Sequence, residues 1–85
     1  MKADDPLSST APPNNLHRFR EEIGLSKAEL ARMAKLNEKT IARVERRKMR
    51  FRIETYRKIF NALNAGRRSE GFGELRYDEV FPPQS

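Results

Sequence analysis

Apolar residues recur every three to four positions in several stretches of the chain, which is the spacing of amphipathic helices. The first stretch runs from Leu16 to Ile23, and Asn14 or Asn15 can cap its start. Gly24 follows at a position where helices commonly end in a left-handed conformation. The pattern therefore predicts a first helix that ends beside Gly24.

Two short helices separated by a tight turn are predicted next. Ser26 and Glu29 have the spacing of a capping box, in which each side chain accepts a hydrogen bond from the other residue's backbone N–H. Lys35 and Leu36 form the turn, and Asn37 is a favourable cap for the third helix. The buried sides of the two helices are expected to be Leu30, Ala31, Ala34, Ile41 and Val44.

A fourth helix is predicted from about Arg52 to Asn64, with Gly66 as the residue that ends it. Its apolar residues lie three to four positions apart and so form one apolar side, as an amphipathic helix requires. This apolar stripe consists of Ile53, Tyr56, Ile59, Phe60 and Leu63.

The two ends of the chain differ in composition from its middle. Residues 1–14 combine two acids, three prolines and a Ser-Ser-Thr run, which predicts a disordered arm. Residues 67–85 contain glycines and prolines that predict an irregular tail, yet the tail is also rich in apolar residues. We expect these to pack on helices 1 and 4 or on a second chain. The predicted helical domain is therefore residues 15–66.

Positive charge is concentrated in this predicted domain. The formal net charge of the chain is +6, and residues 43–52 contain six cations but one acid, Glu45. A compact basic patch on a small domain is typical of a protein that binds a polyanion, whereas a merely solvated face mixes the two signs more evenly. On the third helix, the side opposite to the core presents Lys39, Ala42, Arg43 and Arg46.

Several other classes of protein are not supported. The chain contains no cysteine, which excludes disulfides and thiolate zinc sites. It has neither an apolar run that could cross a bilayer nor a signal-peptide pattern, so we expect a cytoplasmic protein. His17, the single histidine, fits a surface position better than a ligand position. No catalytic constellation is visible, and we predict no enzyme, no cofactor and no metal site.

The order of these elements resembles the Cro/C1 (Xre-like) family of helix-turn-helix DNA-binding proteins. The resemblance covers about residues 15–64. It rests on Arg-Glu-Glu-Ile-Gly-Leu-Ser at 20–26, Glu-Leu-Ala at 29–31 and Thr-Ile-Ala-Arg-Val-Glu-Arg at 40–46, followed by the amphipathic stretch 53–63. It implies an all-α, lambda-repressor-like bundle of four to five short helices, with helix 3 in the major groove.

The resemblance also implies a structural ion pair between helix 1 and helix 3, here Arg20 and Glu45. Two positions depart from the family, because Lys35 and Arg47 stand where it usually has glycine. If the backbone keeps a positive φ there, each side chain costs on the order of 1–2 kcal/mol; the turns can instead be rearranged. Phe51 stands where proline is common before helix 4.

Base contacts are expected from the exposed N-terminal half of helix 3. Arginine or lysine there can donate to guanine, and alanine can contact the methyl group of thymine. Glu38 can accept from cytosine, or it can simply complement the helix dipole. The predicted base-reading residues are Glu38, Lys39, Thr40, Ala42 and Arg43. The predicted phosphate-binding residues are Lys27, Arg46, Arg47, Lys48 and Arg50.

The sequence thus predicts a bacterial or phage regulator of transcription, a repressor that binds pseudo-palindromic double-stranded DNA as a homodimer. The alternative is an antitoxin-like protein, whose tail binds a partner protein while the helix-turn-helix serves autoregulation. A module that binds acidic protein or membrane surfaces would show no preference among DNA sequences. RNA is a further candidate ligand, although the chain lacks the exposed aromatic platform common in single-strand readers.

Overall fold

The computed structural model describes residues 14–83, and this part of the chain folds into five α-helices without a strand. The helices are α1 Leu16–Glu22, α2 Lys27–Ala34, α3 Glu38–Glu45, α4 Ile53–Ser69 and α5 Tyr77–Val80. The prediction of an all-α bundle of four to five short helices is confirmed. The predicted arm, residues 1–14, lies outside the described residues except for Asn14, whose Nδ2 donates to the carbonyl of Val44 at 2.8 Å.

The predicted caps set the starts of α2 and α3. Ser26 Oγ accepts from the backbone N–H of Glu29 at 3.0 Å, and Glu29 Oε1 accepts from the backbone N–H of Ser26 at 3.2 Å. Asn37 Oδ1 accepts from the backbone N–H of Lys39 at 2.8 Å. These bonds satisfy donors that the first turn of a helix leaves without a partner, so both helices begin where the sequence indicates.

Four of the helices end in the same kind of turn, the Schellman motif, which requires one residue with a positive φ. That residue is Gly24 after α1, Lys35 after α2, Arg47 after α3 and Gly71 after α4. The φ angles of Lys35 and Arg47 are 60° and 55°. The two turns are therefore not rearranged, and each carries a conformational cost of about 1–2 kcal/mol that glycine would avoid.

The core lies where the first four helices meet and is closed by α5. Helix α2 packs against both α3 and α4, and two of its three buried residues are alanines. The residues predicted for the inner sides of α2 and α3 are all buried: Leu30, Ala31, Ala34, Ile41 and Val44. The largest fully buried side chains are Leu16, Leu30, Ile41, Ile59, Leu63 and Val80.

Helix α4 differs from its prediction at its C-terminal end and in one residue of its apolar stripe. The prediction that Gly66 ends the helix is wrong, because α4 continues to Ser69. Gly66 is buried instead, at a close approach where an added Cβ would lie 3.2 Å from Cδ1 of Ile23. At the other end, Ile53 was predicted in the apolar stripe but is 49% exposed, since it is the first residue of α4 and lies at the edge of the core.

Residues 75–81 of the tail contact the helices of their own chain. The side chain of Asn64 pairs with the backbone of Leu75: Nδ2 donates to the Leu75 carbonyl at 3.0 Å, and the Leu75 N–H donates to Oδ1 at 2.8 Å. The backbone N–H of Asn15 donates to the carbonyl of Val80 at 2.8 Å. Val80 is fully buried, and Phe81 is 4% exposed. These residues therefore complete the core of the same chain.

Arg67 fixes the loop between α4 and α5. Its Nε donates to the carbonyl of Gly73 at 2.8 Å, and its Nη1 pairs with Glu22 Oε1 at 2.5 Å. The guanidinium group also lies over two aromatic rings, 5.5 Å from the centroid of Phe19 and 5.2 Å from that of Phe72. A planar cation with several donors can make all of these contacts at once.

Candidate nucleic-acid interface

The connection between α2 and α3, residues 35–37, sets the direction of α3. The backbone N–H of Leu36 donates to the carbonyl of Ala31 at 2.8 Å and turns the chain sharply after α2. Helix α3 then packs its inner residues, Ile41 and Val44, into the core. Because one side of α3 is buried in this way, the opposite side lies at the surface.

This outer side of α3 is cationic. Lys39, Arg43 and Arg46 are exposed, and Ala42 is half-buried between them. The side chains border a groove of about 370 Å³, which we call the α3 groove. Four cations around one groove concentrate positive potential there, which attracts a polyanion. The α3 groove is lined by Lys39, Ala42, Arg43, Arg46, Lys48 and Met49.

The turn after α3 forms one wall of the α3 groove. Arg47 has a φ of 55°, and its backbone N–H donates to the carbonyl of Val44 at 3.1 Å. The backbone N–H of Lys48 donates to the carbonyl of Arg43 at 3.0 Å. Because Lys48 reaches back five residues in this way, the chain doubles back after α3. The left-handed conformation of Arg47 thus brings Lys48 and Met49 beside the outer side of the helix.

Glu45, the one acid of the basic stretch, is turned inward. Arg20 Nε donates to Glu45 Oε2 at 2.6 Å, and Arg20 Nη2 donates to Glu45 Oε1 at 3.2 Å. Arg20 Nη1 also donates to the carbonyl of Leu25 at 2.8 Å, and both charged side chains are 7% exposed. The pair ties α1 to the end of α3. It also keeps the carboxylate away from the cations of the outer side.

His17 lies at the outer edge of this ion pair. Its ring is 63% exposed, and its Nδ1 is 3.3 Å from Glu45 Oε1 and 3.1 Å from Arg20 Nη2. The ring therefore covers the ion pair from the solvent side. This position is the surface position on helix 1 that the sequence predicted.

The predicted base-reading residues all lie on α3, but three of the five line the α3 groove. These three are Lys39, Ala42 and Arg43. Glu38 is exposed at the first position of α3, and Thr40 is half-buried; neither borders the groove. Contact between any of these residues and a base stays a prediction.

The predicted phosphate-binding residues are found in three places. Arg46 and Lys48 line the α3 groove, and Arg47 is exposed in the turn beside it. Lys27 is half-buried at the first position of α2. Arg50 borders a different groove, so the structure does not bring it together with the others. Their phosphate contacts also stay predictions.

The groove that Arg50 borders is largely apolar and has a volume of about 380 Å³. It lies between the loop that follows α3, the start of α4 and the end of the tail. The ring of Phe81 at its base packs 5.0 Å from the ring of Tyr56. We call it the apolar groove; it is lined by Arg50, Phe51, Ile53, Tyr56, Tyr77, Phe81, Pro82 and Pro83.

Met49 belongs to the α3 groove, and the sequence analysis missed it. It is 46% exposed and lies beyond the end of α3, where helical periodicity makes no prediction. The sequence carries no local signal for this position, because the left-handed conformation of Arg47 that precedes Met49 is seen only in the structure.

Two further findings concern residues 14–83. No helix in this part of the chain is long and apolar enough to cross a membrane. The same residues contain no cluster of three or more His, Cys, Asp or Glu side chains that could hold a metal ion.

A comparison with protein families gave one match. A family model described as helix-turn-helix matches residues 16–67, which is more than half of the chain. The match begins at the first residue of α1 and ends within α4, so it includes the α2–α3 unit and both members of the Arg20–Glu45 pair. Comparisons with curated proteins and with solved structures gave no match.

Proposed function

This chain belongs to the Cro/C1-type helix-turn-helix family of DNA-binding proteins, and we propose that it regulates transcription by recognising one sequence of double-stranded DNA. In the complex, α3 lies in the major groove with its outer side toward the bases, because an α-helix fits that groove. The observation that carries the proposal is the α3 groove, in which four cations surround the side of α3 that points away from the core.

The two ends of the α3 groove have different roles in this proposal. Lys39 and Arg43 contact bases, since either cation can donate to O6 and N7 of guanine. Arg46 and Lys48, near the end of α3, contact phosphates and fix the orientation of the helix. Glu38, Thr40 and Ala42 complete the base-reading set. Lys27, Arg47 and Arg50 complete the phosphate-binding set.

The protein binds DNA as a homodimer in this proposal. A two-fold dimer reads a pseudo-palindrome whose half-sites lie about one helical turn apart, roughly 34 Å. The apolar groove supports a self-association surface, because it exposes Ile53 and adjoins the loop that follows α3. Sedimentation of the wild type and of Ile53→Asp tests this: we expect dimer for the first and monomer for the second.

Repression is the mode of regulation that we propose, in the cytoplasm of a bacterial cell. A dimer that occupies the major groove within a promoter blocks access of polymerase to the same DNA. A reporter driven by a promoter that contains the selected site should fall in output when the protein is expressed. A rise in output would identify an activator instead.

The antitoxin-like alternative is less well supported by the contacts of the tail. That alternative needs apolar tail residues that are available to a partner protein. Val80 and Phe81 are buried in the core of the same chain, whereas Phe72 is 38% exposed. The antitoxin-like alternative would be favoured if one partner protein co-purified stoichiometrically with the wild type and no longer co-purified with Phe72→Ser.

The experiment that tests the proposed function is selection of bound duplexes from a random pool, followed by titration at two salt concentrations. We expect a pseudo-palindromic site that binds at least about 10³-fold more tightly than a shuffled duplex. The selected site should keep its advantage at the higher salt, because base contacts do not depend on released counterions. Equal binding of both duplexes, lost together in salt, would reduce the role of α3 to electrostatic attraction.

A further inference from the structure

We propose that the α3 groove binds the C5-methyl group of a pyrimidine, in thymine or in 5-methylcytosine, through an apolar floor made by Ala42 and Met49. This proposal deepens the proposed function and rests on it, since the groove must face the major groove of DNA. It adds Met49 as a residue that determines sequence preference.

Met49 has an unusual position for an apolar side chain. A long apolar side chain that is 46% exposed contributes little to the core, yet it lies in a groove whose other large side chains are all cations. The Schellman turn at Arg47 directly precedes Met49, which lines the groove together with residues of α3. Ala42 is the second apolar residue of the groove and is half-buried. Together the two residues form an apolar floor within a cationic rim.

The combination of an apolar floor and a cationic rim fits a methyl group on a base better than it fits a phosphate. A phosphate would be bound by the cations alone and would leave the apolar floor without a matching group. In the major groove the C5-methyl of a pyrimidine is the apolar feature of a base-pair edge, and polar base edges and phosphates lie on either side of it. Methionine suits such a contact, because its flexible thioether adapts to the shape of the group it meets.

The cations around the apolar floor lie on two different elements. Lys39 and Arg43 are on α3 itself, where they can donate to the neighbouring bases, while Lys48 follows the turn on the wall that carries Met49. In a base step that places a pyrimidine methyl group next to a guanine, the methyl group would therefore contact the apolar floor while the guanine accepts from Lys39 or Arg43. Such a step is the pattern that we expect at the centre of each half-site.

The test uses the duplex selected above, with deoxyuridine placed in turn at each thymidine. Uracil keeps the hydrogen-bonding groups of thymine and lacks its C5-methyl. For the wild type, one thymidine position in each half-site should be sensitive, and uracil at one of these two positions should lower the affinity by about fourfold, which corresponds to burial of one methyl group. Because Met49→Gln changes both protomers, it should bind the thymine duplex about as weakly as the wild type binds the duplex with uracil at both sensitive positions. It should not lose further affinity when uracil is introduced.

The matched control is Met33→Gln. Met33 is also exposed, at 40%, but it lies on α2 and borders a different groove, next to α4. This variant should respond to uracil as the wild type does. Because both methionines are partly exposed, both variants should keep the wild-type unfolding temperature, and Met49→Gln should keep the wild-type dependence of affinity on salt.

A second arm distinguishes the two sources of the methyl group. If the selected site has cytosine at the sensitive position, methylating it should raise wild-type affinity by about fourfold, and Met49→Gln should not respond. The proposal is overturned if the wild type and Met49→Gln respond equally to every methyl group removed or added. In that case a selected site still exists and the proposed function stands. A selection that yields no preferred duplex would overturn the proposed function and the methyl site together.

Discussion

Removal of one member of the Arg20–Glu45 ion pair should strongly destabilise the fold. In Arg20→Met, the carboxylate of Glu45 keeps its buried position but loses both guanidinium hydrogen bonds, at 2.6 and 3.2 Å. Removing one partner of a buried pair typically costs about 3–5 kcal/mol. A chain of this length has a total unfolding free energy of only about 4–13 kcal/mol, so the loss should be a large share of the stability of the fold.

Removal of both charges should cost less than the sum of the two single changes. In Arg20→Met with Glu45→Leu, no charge is left buried without a partner, and apolar side chains of similar size fill the space between α1 and α3. Replacing a buried pair in this way is often close to neutral. The loss of stability in the double variant should therefore be smaller than the sum of the two single losses by at least about 2 kcal/mol.

The chain offers a matched control for this experiment. Arg68 pairs with Glu74 at the same N–O distance, 2.6 Å, but the two side chains are 56% and 57% exposed. The two pairs have the same shortest contact but differ in burial, and Arg20 makes two further hydrogen bonds, to Glu45 Oε1 and to the carbonyl of Leu25. Arg68→Met should cost less than about 1 kcal/mol.

The assay is urea unfolding followed by circular dichroism, with the free energy of unfolding taken from midpoints at a common slope. We expect a large downward shift of the midpoint for Arg20→Met, a partial recovery in the double variant and almost no shift for Arg68→Met. If Arg20→Met and Arg68→Met lowered the free energy of unfolding equally, and the changes at Arg20 and Glu45 were additive, the reasoning would be refuted. Burial would then make no difference to the free energy that an ion pair contributes.

Four further variants test the turns, the caps and the DNA-binding face. Lys35→Gly should stabilise the protein by about 0.5–1 kcal/mol, since relief of the left-handed strain exceeds the added entropy of the unfolded chain; an unchanged or lower unfolding temperature would contradict this. Hydrogen bonds from the backbone N–H and the side chain of Ser26 lower the pKa of Glu29 below its ordinary value. The carboxylate of Glu29 therefore stabilises the fold fully at pH values above its unfolded-state pKa of about 4.3. This contribution is lost as the pH falls through the folded-state pKa. The stability difference between the wild type and Glu29→Gln should accordingly shrink when unfolding is measured at about pH 3 instead of about pH 6. Lys48→Ala should weaken binding to all duplexes alike and lower the slope of log affinity against log salt by about one, as measured by titration over a salt series. Arg43→Ala should cost about 1–3 kcal/mol on the selected duplex and little on a shuffled one; equal losses on both would remove its role in base reading.

Local signals in the sequence were enough to predict the α2–α3 unit. The capping box at Ser26, the cap at Asn37 and the apolar positions of both helices are short-range features, and each is present in the structure. The pairing of Arg20 with Glu45 came from the family resemblance, because 25 residues separate them in the chain. The outer side of α3 followed directly from the buried side.

Features that depend on contacts distant in sequence could not be predicted. Gly66 looks like a helix end in the sequence, but its role is to let α4 pass close to Ile23, which only the packed structure reveals. Arg67 looks like a surface cation, yet it is buried between two aromatic rings. The polar pairing of Asn64 with Leu75 likewise joins the tail to α4 with no periodic signal in either segment.

The central claim, that α3 reads the major groove, is tested most directly by chemical protection of the selected duplex. Dimethyl sulfate methylates N7 of guanine in the major groove and N3 of adenine in the minor groove. We predict that the protein protects guanine N7 in two clusters about one helical turn apart, and that Arg43→Ala loses protection at one guanine in each cluster. Protection confined to adenine N3, or uniform along the duplex, would contradict the placement of α3 in the major groove.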